Sequence, residues 1–216
     1  MKRLIVVCEG PTEREFCKNM LLDFFWQRGI ELDPPIIKHS GGGVVPWPTL
    51  RAQIMNHLRD KNAYTTTFID YYGIKDDFMF PKWEEAKAIV NHEQRMVFLE
   101  EAMMLDIPEE LRHRFIPHLQ LYEFESLLFS DISAFDKNFM PSEMDKDQLN
   151  EATTEFPNPE DINNSPKTAP SKRLENAIKG YQKVLFGNCV AIDIGLEKMM
   201  DSCPHFRKWI NSLSLI

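Results

Sequence analysis

"RLIVVCEGPTEREF", residues 3–16, reads as a buried strand that ends in a carboxylate and turns at once into a helix. Leu4, Ile5, Val6, Val7 and Cys8 form a continuous apolar run, the kind covered on both faces in a parallel sheet. Glu9 and Gly10 stop it, the glycine giving the backbone room to turn and Pro11 stiffening the exit. Thr12 and Glu15 match a capping box, in which hydroxyl and carboxylate satisfy the free amides of the first turn. That leaves Glu13 facing solvent. Phe16, Met20 and Phe24, beside Cys17 and Leu21, then mark one face of a helix to about Arg28, closed by Gly29.

The alternation recurs. Pro34-Pro35 precedes a short strand at Ile36 to His39. Gly41-Gly42-Gly43 is a strand-to-helix turn, because neither a dinucleotide fingerprint nor a GK[ST] ending accompanies it. Leu50, Ile54 and Leu58 stripe a helix that begins near Pro48. "TTTFIDY", residues 65–71, is β-branched and aromatic and predicts a third strand. A long helix is expected from Trp83 to about Met104, and Phe115 to Leu121 supplies a fourth strand. Four rounds of strand and helix predict an α/β fold, a Rossmann-like four-stranded parallel sheet flanked by helices. This core occupies residues 1–135. Residues 136–216 hold a polar, proline-bearing excursion to about 170 and helices near 171–180, 192–201 and 204–213. They form a C-terminal helical extension packed on the same domain. In the last helix Phe206, Trp209, Ile210 and Leu213 make a stripe suited to the sheet.

The bulk properties narrow the classes. A chain of 216 residues, 43% of them hydrophobic, can bury a core without disulfides or metal clips. It has no membrane-length apolar run, and its N-terminal stretch is too short and charge-bounded for a signal peptide. The four cysteines lack paired spacing, so a reducing cytoplasm is expected, and Asn163-Asn164-Ser165 carries no meaning as a glycan acceptor. A net charge of −8 argues against a passive nucleic-acid coat, whose affinity comes from neutralised phosphates. It leaves room for an enzyme that meets phosphates through a bound cation. His39, His57, His92, His113, His118 and His205 read as structural, with only His113 and His118 flanking one strand.

Acids gather where chemistry is expected. Sites in open parallel sheets lie at the carboxyl ends of the strands. Three of the four expected strands end in acid: Glu9, Asp70, and the pair Glu123 and Glu125. Like charges at one rim repel, and burying them is costly without a compensating cation. Mg²⁺ suits such a rim, since it binds through a few carboxylates and substrate phosphates. If "YEFES" begins a helix, Glu123 and Glu125 diverge, at about 100° per residue; if it continues the strand, they share a face. Lys172 and Arg173, at the entry to a helix, are the candidates for steadying charge on a reacting phosphoryl group. Tyr71 is read as packing, and Asp76 and Asp77 as solvated loop acids.

Glu9-Gly10 after one strand, and Asp70 with Gly73 after another, resemble the Toprim domain of topoisomerases, primases and OLD-type nucleases. The closer resemblance is to a bacterial branch of Toprim-like proteins catalogued as a domain of unknown function. It is carried by "EGPTEREF", "TTTFIDYYG", "FIPHLQLYEFESLLFSD", "APSKRL" and "DIGLEKMMDSCPHFRKWI". It implies Mg²⁺- or Mn²⁺-dependent hydrolysis of nucleic-acid phosphodiesters, with DNA or RNA left open. The setting it implies is an anti-phage or toxin-type defence system with an ATPase partner. It further implies that Glu9 acts as general acid/base or shares metal ligation, and that Asp70 is a metal ligand. The second aspartate of the Toprim motif is Tyr72 here, so Glu123 and Glu125 become the replacements. The rival reading is an inactive Toprim-like binding or regulatory subunit. A primase or topoisomerase would need further domains. Oligomeric state stays open, a homo-oligomer included.

Overall fold

The computed structural model describes residues 1–38, 41–163, 165 and 167–216. The N-terminal part runs β1 (Lys2–Cys8), α1 (Pro11–Phe16), a π-helical turn (Cys17–Leu21), α2 (Leu22–Trp26), β2 (Ile30–Asp33) and α3 (Trp47–His57). It continues with β3 (Ala63–Asp70), α4 (Trp83–Lys87), α5 (His92–Leu105), α6 (Glu109–Arg112), β4 (Phe115–Ile116) and β5 (Leu119–Gln120). A 3₁₀ stretch (Phe124–Ser130) leads to α7 (Lys146–Glu155), α8 (Pro170–Ala177), α9 (Lys183–Ile194), α10 (Leu196–Ser202) and α11 (Pro204–Ser214).

The fold is α/β, as expected. The strands pair in parallel in the order β2-β1-β3-β4, with β5 continuing the pairing along β3. Because successive side chains alternate between faces, the apolar run of β1 feeds two cores. Leu4, Val6 and Cys8 pack with Phe16, Phe68, Phe124, Phe206 and Trp209 on one face. Ile5 and Val7 pack with Leu50, Ile54, Leu99 and Met103 on the other. The stripe of α11 closes the first core, and Trp209 Nε1 donates to Thr66 Oγ1 of β3 at 2.8 Å.

Several boundaries differ from expectation. The second strand is Ile30–Asp33, a half-exposed edge; Ile36 keeps only a single bridge to Cys8. His39, which the sequence placed in that strand, and Asn164 lie outside the described residues. The long helix divides because the Asn91 side chain accepts from Gln94 N and starts a new helix. The fourth strand divides at Pro117, which has no N–H for the ladder. Across that break the Thr67 hydroxyl donates to His118 O and accepts from His118 N, at 2.8 and 2.9 Å, in place of ladder bonds. The helix expected at 192–201 is cut at Gly195, whose φ of 83° is left-handed. The polar excursion contains α7. No described helix is long and apolar enough to cross a membrane.

A candidate acidic site at the strand switch point

The strand order reverses direction between β1 and β3: from β1 the chain moves to β2 on one side, then crosses back to β3 on the other. Crevices at such switch points, outside the carboxyl ends of the strands, are where α/β sheets bind ligands. Glu9 follows β1 and Asp70 ends β3, so topology delivers both to one crevice. They are joined directly, since Asp70 N donates to Glu9 Oε2 at 2.9 Å. Asp70 Oδ1 in turn accepts from Phe124 N at 3.0 Å.

The approach of "YEFES" is set by a strained residue. Tyr122 has φ 65°, a left-handed conformation costly for a bulky side chain. Its hydroxyl is held by His92 Nδ1 at 2.6 Å. This bend leaves Glu123 extended, at φ −144° and ψ 153°, and starts the 3₁₀ stretch at Phe124. Glu123 and Glu125 therefore part, which decides between the two alternatives read from sequence. Glu123 Oε2 accepts from Ser171 N at the start of α8, at 2.9 Å. Glu125 is fully buried and lies 2.9 Å from Lys183 Nζ. That contact is an ion pair, and apart from it only the residue's own amide approaches the carboxylate among the described residues.

Two residues change role. Glu13, expected in solvent, is 3% exposed and accepts from Gly10 N at 2.8 Å, so it and not Glu15 caps α1. Glu15 instead pairs with Lys18. Gly10 itself is extended at φ −151°, a conformation any residue adopts. Lys183 comes to the rim because α9 packs against α1, with Asn188 Nδ2 donating to Thr12 O. Burial works against the Lys183 charge, but Glu125 and Asp70 more than offset it and hold the ammonium above the ordinary lysine range.

Burial dominates the electrostatics of the acids. It pushes Glu9 up to about 7, against the opposing Asp70 amide and with help from Glu13. It pushes Glu125 up to about 7 although Lys183 pulls it down. Asp70 is raised well above the usual range by burial and then by Glu9. Glu9, Glu13, Asp70 and Glu125 thus share Lys183 as their compensating cation.

Gly73 completes the crevice. A Cβ there would stand 2.6 Å from Val44 Cγ2 and 3.3 Å from both Glu9 oxygens. The glycine of the D-x-x-G pattern is needed for this close approach. Gly73→Ala is expected to destabilise the protein by about 1–3 kcal/mol through overpacking, read from urea unfolding; an unchanged midpoint would show that Val44 yields without cost.

A family model described as a domain of unknown function, DUF4276, matches residues 8–214. The chain belongs to this family. No curated protein and no solved structure gives a match. Within this DUF4276 chain the matched span includes every acid of the rim, Lys183 and the C-terminal helix that closes the core.

Of the residues singled out from sequence, Glu9 and Asp70 meet and Glu125 joins them through Lys183, while Glu123 turns toward α8. Lys172 is exposed and paired with Glu175. Arg173 is not at the rim: it donates to Thr168 O, pairs with Glu155 and stacks on Phe156. It secures the loop before α8. The basic group of the site is Lys183, one of several lysines between residues 167 and 183. The signal was weak because "KVLFGNCVAIDI" is apolar all round and carries Gly187, so no periodic face announced α9. A Cβ on Gly187 would stand 3.1 Å from the Tyr181 hydroxyl, which would have to give by a few tenths of an ångström. The histidines also regroup, since His118 stacks on His205. Tyr71 packs on Trp83, as expected.

The donor set suits a hard divalent cation in kind. It is all oxygen, sets the acids Glu9, Glu13, Asp70 and Glu125 against one lysine, and includes a buried carboxyl group with few donors. The rim oxygens do not crowd together as three metal-type donors do elsewhere in the protein. Mg²⁺ needs only one or two carboxylates, with water and substrate phosphate supplying the rest.

Proposed function

We propose that this chain is a Toprim-like hydrolase of nucleic-acid phosphodiesters that works with a divalent cation at the β1/β3 crevice. The supporting observation is the excess of buried carboxylate over cationic charge at the switch point of the sheet. Asp70 and Glu125 would hold the ion, with Glu9 beside them. When bound, a divalent cation supplies Lewis-acid polarisation of a phosphoryl oxygen and lowers the pKa of water. Glu9, titrating near 7, can take or return a proton at neutral pH. Lys183 sets the charge of the crevice and can steady an anionic phosphoryl oxygen. Lys172, on the exposed turn of α8 beside Glu123, can contact the nucleic-acid backbone.

The test is cleavage of plasmid, single-stranded DNA and tRNA with Mg²⁺ or Mn²⁺, alone and with the ATPase partner that the family resemblance implies. Asp70→Asn and Glu9→Gln are expected to lower the rate by at least about 100-fold. Cleavage that survives both substitutions would overturn the reading.

A specific observation favours a second reading, a binding subunit that does not turn over. Tyr72, at the motif's second acid, is exposed and packs in a tilted contact on Tyr122 with centroids 5.5 Å apart. Isothermal calorimetry separates the two: heat from Mg²⁺ or Mn²⁺ that disappears in Asp70→Asn favours the hydrolase, and none in the wild type favours the subunit.

A further inference from the structure

Glu100 of α5, His118 between β4 and β5, and His205 in the first turn of α11 each place one donor atom within 4.8 Å of the others. Glu100 Oε1 is 2.9 Å from His205 Nε2 and 3.5 Å from His118 Nδ1. The same oxygen accepts from Leu119 N at 2.8 Å. Packing fixes both rings: His118 stacks on Trp209 with centroids 4.3 Å apart and on His205 at 4.9 Å. The histidines are 1% and 4% exposed.

One buried ring nitrogen of this cluster, His205 Nδ1, has no hydrogen-bond partner among the described residues. His118 Nε2 stands 3.4 Å from Gln120 Oε1, and the Gln120 amide nitrogen already donates to Ser126 Oγ. A neutral imidazole has one N–H. With Nε2–H directed at Gln120 Oε1, His118 Nδ1 presents its lone pair toward Glu100 Oε1. A metal ion between Nδ1 and Oε1 would use that lone pair. The Nε2–H donating to Gln120 is then the outer hydrogen bond that commonly orients a metal-bound histidine.

We propose that Glu100 Oε1, His118 Nδ1 and His205 Nε2 form a binding site for a divalent transition metal of the zinc type, clipping α5, the sheet and α11 together. Two imidazoles and one carboxylate suit Zn²⁺ and its neighbours and not Mg²⁺. The site is separate from the acidic rim and does not depend on it. His205 also borders a polar cleft of about 320 Å³ shared with His92, Glu160 and Asp161, which provides an entry path.

The test is titration of the metal-stripped full chain with Zn²⁺ alone and with Co²⁺ alone, comparing wild type with Glu100→Gln, His205→Gln and Glu84→Gln. Wild type is expected to bind one Zn²⁺, to melt higher with it, and to give a Co²⁺ spectrum with imidazole-ligand d–d bands. Glu100→Gln and His205→Gln are expected to weaken binding by at least about 100-fold, while the exposed Glu84→Gln binds as wild type. Circular dichroism checks that each variant folds; if one does not, the other variant and the wild-type Co²⁺ spectrum decide. No Zn²⁺ uptake by the wild type overturns the proposal. So does uptake unchanged in the folded variants, or a Co²⁺ spectrum without nitrogen ligands.

Discussion

Trp209→Ala is expected to cost about 3–5 kcal/mol of stability, the range for truncating a large buried aromatic. Trp209 is 4% exposed and touches the rings of Phe68, His118 and Phe206, with centroids 5.0, 4.3 and 5.7 Å away. Truncation leaves a cavity between α11 and β3 and removes the indole donor to Thr66 Oγ1 in the buried sheet. Trp209→Phe separates the two contributions: it keeps most of the packing and loses the hydrogen bond, for about 1–2 kcal/mol with the smaller ring. Equilibrium urea unfolding reads both. A loss below about 1 kcal/mol for the alanine variant would contradict the placement of α11 in the core that also contains β1 and β3.

Lys183→Met is expected to destabilise the protein strongly at pH 8 and little at pH 5. Removing one partner of a buried ion pair costs about 3–5 kcal/mol. With the Lys183 side chain 41% exposed, solvent screening reduces this to about 2–3 kcal/mol at pH 8. The sign of the pH dependence follows from the acids. Glu9 and Glu125 titrate near 7 in the folded protein, above their ordinary value of 4.5. The native state therefore holds more protons than the unfolded chain between those values, and stability falls as pH rises through that window. In the wild type Lys183 limits the fall. Without it the decline steepens and extends to higher pH, whereas at pH 5 the protonated acids need no cation. Unfolding midpoints of both proteins at pH 5 and 8 provide the check, and an equal loss at the two pH values would show that Lys183 acts through packing alone. Divalent cation added at pH 8 is expected to restore part of the stability of the variant, as a ligand that binds only the folded state does.

The two residues that carry these effects differ in how readable they were. Trp209 belongs to a four-residue stripe at helical spacing, and such a stripe has one economical use, to lie on apolar surface. Lys183 opens a helix with no polar face, and nothing local distinguishes it from Lys172 or Lys179. The capping of α1 shows the same limit at short range. A Thr12–Glu15 box and a Gly10–Glu13 cap are both compatible with "EGPTEREF". The turn after Glu9 starts the helix two residues earlier, so Glu13 reaches the Gly10 amide and is drawn inside.

What the sequence by itself determined was the parallel α/β architecture and the acids at its strand ends. Both follow from local patterns: an apolar run too short for a helix, a carboxylate after it, and a helical stripe beyond. Tertiary structure decided the rest. Strand order put Glu9 and Asp70 at one switch point, and the left-handed Tyr122 sent Glu123 and Glu125 apart. Packing of α9 on α1 brought Lys183 to the rim, and docking of α11 brought His205 to Glu100 and His118. These pairings join residues 9 and 70, 125 and 183, and 100 and 205. No periodicity encodes contacts at such separation, and the raised titration of Glu9 and Glu125 exists only once packing has removed their water.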